Sequence, residues 1–114
     1  MSLIALAKGS RISLPRDFHV EILRGGMNRL LLRSMATKSN PTRIEIYFPH
    51  VQHLDIPMRF EGLTIACEEW GASESFLYRL ESKGVCAGNV VAAHCIYGED
   101  EAPVGSPSMF PIEP

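Results

Sequence analysis

Apolar residues recur at every second position through most of this chain. Phe18, Val20 and Ile22 alternate with Asp17, His19 and Glu21, and a period of two with one polar face predicts a half-buried strand over 17–23. Ile12 and Leu14, ahead of Pro15, predict a short extended entry to it. Arg24-Gly25-Gly26-Met27-Asn28 follows. Glycine supplies the positive φ that tight hairpins need, so residues 29–35 are expected to return antiparallel. Leu30, Leu31 and Leu32 are consecutive in that strand. They imply apolar cover on both faces, or an edge strand pairing across a two-fold axis in a homodimer.

The same alternation runs through the centre, from Arg43 to Cys67. Ile44, Ile46 and Phe48 point one way, Glu45 and Tyr47 the other. Pro49-His50 forces a bend, because proline cannot donate to a ladder. Extended structure resumes from Val51 to Ile56, breaks at Pro57, and returns with Leu63, Ile65 and Cys67. Beyond the acidic connector Glu68–Glu74, Phe76, Tyr78 and Leu80 alternate, and Ser82-Lys83-Gly84 reads as a turn. Asn89 to Tyr97 is apolar on both faces and is read as the most buried strand.

Turn signals every eight to twelve residues or so predict an all-β chain. The expectation is one small domain over residues 1–101. It is a mostly antiparallel β-sandwich or open barrel, a meander of about seven or eight short strands. Pro103, Pro107, Pro111 and Pro114 exclude helix and central strand beyond it, which leaves a proline-rich tail over 102–114. That tail is extended or partly disordered, with Met109 and Phe110 as the side chains to dock on a groove.

Composition narrows the function classes. The 114 residues suit a single domain. Eleven basic residues against thirteen acidic ones give a net charge of −2, and the basic residues are scattered singly. Nucleic-acid binding needs them gathered on one face, so no nucleic-acid partner is expected. The chain has no apolar run near the ~18–20 residues of a membrane helix, and no membrane role is expected. Cys67, Cys86 and Cys95 form an odd set without paired spacing, which points to a reduced, cytoplasmic protein.

Three constellations could carry chemistry. His50 and His53, with His94, are the candidate metal ligands. Side chains at i and i+3 on a strand face opposite sides, so convergence depends on the bend at Pro49. Adjacent strand residues diverge as well, which separates His94 from Cys95. None of the three cysteines lies in a nucleophile motif, and a nucleophilic thiol needs a lowered pKa and a neighbouring base. Glu68 and Glu69, with Glu74, surround Trp70, a residue type enriched at binding hot spots. Glu99-Asp100-Glu101 lacks the alternating ligands and mid-loop glycine of a calcium loop.

The functional expectation is a non-catalytic protein-interaction module: a subunit, an inhibitor or an immunity-type partner. Its partner surface is assigned to Glu68, Glu69, Trp70 and Phe110, and no cofactor is expected. The alternative is a small-molecule or metal-binding β-barrel, with enzymatic use of His50, His53 or His94.

Overall fold

The computed structural model describes residues 3–24, 28–71, 74–103 and 105–110. The side chains of residues 22–24 lie outside that description. Nine strands appear among the described residues: β1 (Leu3–Ala5), β2 (Arg11–Arg24), β3 (Arg29–Ser34), β4 (Arg43–Phe48), β5 (His53–Asp55), β6 (Arg59–Glu69), β7 (Phe76–Ser82), β8 (Val85–Ala92) and β9 (Ile96–Asp100). They form one sheet in the order β1-β9-β4-β3-β2-β6-β7-β8-β5. Every neighbouring pair is antiparallel. No helix long and apolar enough to cross a membrane occurs among the described residues.

The sheet curls on itself. Phe48 of β4 and Tyr78 of β7 meet edge to face, with ring centroids 5.5 Å apart. Three strands lie between β4 and β7, so a flat sheet would hold them about 19 Å apart, four strand spacings. The inward residues of both halves accordingly share one core, from Leu30, Leu32, Ile44, Ile46 and Phe48 to Phe60, Ile65, Leu80 and Val90. Of the sandwich and the open barrel that the alternation leaves open, the single curled sheet matches the barrel, with nine strands among the described residues where about seven or eight were expected.

Strand β2 makes the curl possible. It pairs with β6 through its first part and with β3 through its second. The register slips by one residue between Leu14 and Asp17, and again between Val20 and Ile22. An extra residue on one strand bends it and raises its twist, so Pro15 sits at a bulge where its missing N–H does no harm. The predicted entry and strand 17–23 are therefore one bent strand.

Two expectations need correction. The run Asn89–Tyr97 is not one strand: β8 pairs with β7 and β5, whereas β9 pairs with β4 and β1. The chain leaves the sheet at Ala93, buries the Cys95 side chain, and re-enters on the other half. Val90 and Ala92 face the core before the break and Cys95 and Tyr97 after it, so the inward phase shifts by one residue and Ile96 packs on the outer face. Nor is β3 an edge. It lies between β2 and β4, and Leu30, Leu31 and Leu32 are fully buried. The sheet edges belong to β1 and β5.

Loops close the ends of the barrel. Between β1 and β2, Leu6 N–H donates to Cys95 O and Gly9 N–H to Cys67 O, each at 2.9 Å, so the segment spans from β9 to β6. At the other edge β5 lies directly over Gly88. A Cβ there would sit 2.1 Å from the backbone oxygen of Asp55, and only glycine allows that approach.

Candidate functional site

The three histidines are all exposed. His50 occupies the turn after β4 with φ of +54°, His53 opens β5, and His94 lies where the chain crosses from β8 to β9. Among the described residues no group of three or more His, Cys, Asp or Glu side chains could hold a metal ion. The three histidines thus do not make such a centre.

Two cysteines are interior. Cys67 and Tyr78 sit opposite one another in the β6–β7 ladder, and both are buried. Burial pushes the Cys67 thiol up, and does so more strongly for Cys95. The Tyr78 hydroxyl is raised by burial and by both cysteines. A thiolate is the nucleophilic form, so these thiols are held in the unreactive one. Cys86 is exposed.

At the end of β6, Glu68 pairs with Arg79 at 2.5 Å and Glu69 with Lys8 at 2.8 Å. All four side chains are largely exposed. The hydrogen bond between them lowers the Glu69 carboxyl and raises the Lys8 ammonium. Glu74 is exposed. Trp70 is 45% exposed. This corner is a neutralised polar rim around one open indole. Phe110 is not part of it: its ring is buried on the outer face of β4.

That outer face holds the most constructed polar site in the molecule, and sequence reading missed it. All six residues of β4 are buried. Ile44, Ile46 and Phe48 enter the core. Arg43, Glu45 and Tyr47 face outward by alternation, and Glu45 nonetheless has no exposed surface. Cross-strand registry aligns Glu45 with Arg33 of β3 and Gly98 of β9. Arg33 grips the Glu45 carboxylate at 2.6–2.7 Å and reaches Glu21 at 2.8 Å. Arg43 sits opposite Asp100 in the ladder and binds it through two nitrogens, at 2.6 and 3.0 Å. That fork is planar and bidentate. It holds Asp100 below the usual carboxylate range and Arg43 above its own ordinary value.

The C-terminal tail covers these charges. Glu45 Oε1 accepts from Ser108 Oγ at 2.9 Å and from Met109 N–H at 2.8 Å. Arg43 Nη1 donates to the carbonyls of Ser106 and Pro107, at 3.3 and 3.0 Å. Phe110 packs with Tyr47 and Leu31, and Met109 and Ile96 complete that cluster. Residues 106–110 of the tail are therefore docked on the sheet, after a turn at Gly105 and with a bend at Met109 and Phe110; residues 104 and 111–114 lie outside the described residues. Only a charged residue flanked by core positions, as in Arg43-Ile44-Glu45-Ile46, hinted at the site.

A shallow groove of about 390 Å³ follows the β2 bulge, lined by Arg16, Asp17, His19 and Met35 among others. Arg16 is engaged there by Ser34, Thr42 and the Met35 carbonyl, and His19 by Glu21 at 2.6 Å. These groups brace the bulge against the β3–β4 loop. Comparison with protein-family models, curated proteins and solved structures finds no match for this chain.

Proposed function

We propose that this chain is a non-catalytic protein-interaction module, a subunit, inhibitor or immunity-type partner of another protein. The observation that carries this reading is the open edge of β1. Among the described strands it pairs with β9 alone, and Leu3 and Ile4 are each 49% exposed. An unpaired edge offers a row of backbone donors and acceptors to an incoming strand, and exposed apolar side chains reward its arrival. The exposed Trp70 supplies a second anchor of the type found at binding hot spots. The enclosed charges are committed to the fold: Arg43 and Glu45 hold the tail, Asp100 holds Arg43, and Cys67 and Cys95 sit in the core. The unpaired cysteines fit a reducing compartment, the cytoplasm.

The test is capture from cytoplasmic extract with quantitative identification, wild type against Ile4→Lys and Trp70→Ala. A lysine on an edge strand discourages pairing. A specific protein retained by wild type and lost from the Ile4→Lys variant, at unchanged thermal stability, supports the reading. Identical capture by all three chains defeats it.

A further inference from the structure

The segment Ser106–Phe110 is held the way a peptide ligand is held. The sheet contacts three of its backbone groups: the carbonyls of Ser106 and Pro107 through Arg43, and the N–H of Met109 through Glu45. It contacts one hydroxyl, that of Ser108, and one ring, that of Phe110. Ser108 Oγ accepts in turn from Phe110 N–H at 3.1 Å, which fixes the turn of the segment. The receptor groups are aligned by the sheet and not by the tail. Arg33 orients Glu45, Glu21 holds Arg33, and Asp100 orients Arg43. Between strand and segment the described hydrogen bonds are local: Ala102 N–H to Asp100 Oδ1, and Ser106 N–H to Pro103 O.

We infer that the outer face of β3, β4 and β9 is a receptor for the segment Ser-Pro-Ser-Met-Phe, filled in cis by the chain's own tail and exchangeable for the tail of a second copy. Among the described residues the contacts fall within 106–110, and every copy carries the same segment. A tail delivered in trans makes the same contacts as one delivered in cis, which is the condition for exchange of an identical element between protomers. The connector sets the balance. A short tether holds its ligand at an effective concentration in the millimolar range, so the cis arrangement prevails in dilute protein. The trans arrangement takes over when the cis tail is disabled and another copy supplies an intact one, or when the chains are concentrated. This surface is distinct from the β1 edge and stands or falls apart from it.

Full-length variants test the inference. Phe110→Ala disables the tail and leaves the receptor intact; Tyr47→Ala disables the receptor and leaves the tail. Neither side chain belongs to the inner core, and circular dichroism checks each fold. A fluorescent peptide of residues 105–110 is expected to bind the Phe110→Ala chain about tenfold or more tightly than wild type, because the cis competitor is gone. It is expected to ignore a Phe110→Ala, Tyr47→Ala double variant. In sedimentation velocity the two single variants run as monomers alone and as a heterodimer when mixed. Ser108→Asp, which sets a like charge against Glu45, provides a second tail-released chain should Phe110→Ala fold poorly. No peptide binding to either tail-released chain overturns the receptor. Peptide binding without a heterodimer overturns the second copy as its occupant.

Discussion

Tyr47 and Phe110 stack with ring centroids 5.1 Å apart and planes inclined by 27°. The contact joins the outer face of β4, all of whose residues are buried, to the chain's last described residue. Phe110→Ala is expected to lower unfolding stability by about 2 kcal/mol, from the apolar area of the ring and the partial collapse available at a surface site. A double-mutant cycle with Tyr47→Ala should return a coupling near 1 kcal/mol. Urea titrations of the four chains measure both quantities, and additive effects would show that the stack contributes nothing of its own.

Glu45 is the fold's most enclosed charge, and Arg33 beside it is largely covered too. Removing one partner of a buried pair strands the other, at a cost of about 3–5 kcal/mol. Glu45→Ala is expected to fall in that range. A loss below about 1 kcal/mol in chemical denaturation, the scale of an exposed pair, would mean that water reaches Arg33 freely.

Asp100 gives the acid limb of the stability curve a defined contribution. Its hydrogen bonds from Arg43 lower the folded-state pKa, relative to an unfolded value near 3.9. The stabilisation is complete above that unfolded value and is lost as pH falls through the folded one. The stability gap between wild type and Asp100→Asn should therefore narrow as pH drops from about 5 towards 2. A gap constant across that range would remove Asp100 from the account of acid unfolding.

Burial predicts the thiol chemistry. With Cys67 and Cys95 raised by desolvation and Cys86 exposed, a disulfide reagent at mildly alkaline pH is expected to titrate one thiol quickly. All three should react in denaturant. Fast reaction of more than one thiol in the native protein would contradict the buried placement.

Gly88 and Gly62 separate steric from conformational cost. An alanine at 88 collides with the Asp55 carbonyl and must push β5 off the sheet, costing about 1–3 kcal/mol as overpacking does. At 62 a Cβ meets nothing, but φ is +68°, and the expected cost is about 1 kcal/mol from backbone strain alone. Amide exchange tells them apart: Gly88→Ala should release Gln52, whose N–H donates to Val91 O, whereas Gly62→Ala should leave it protected.

The alternation of side chains by itself determined the strands, the inward set and most of the turns. Ile44, Ile46, Phe48, Leu63, Ile65 and Leu80 were legible as core because a pleated strand sends every second residue to the same face. The triple leucine was legible as apolar on both faces, with cover within the chain or by a second copy left open. Three matters were decided only by tertiary structure. The split of Asn89–Tyr97 was hidden because the run is apolar on both faces, so the one-residue change of phase between Ala92 and Cys95 leaves no mark on it. The interior place of β3 depends on which strands become neighbours, and periodicity carries no pairing information. Finally, Arg43 and Glu45 stood at outward positions, where alternation predicts solvent. They are enclosed because a proline-bearing tail from the far end of the chain folds back over them. A sequence pattern tells which face a residue takes, and long-range contacts decide what covers that face.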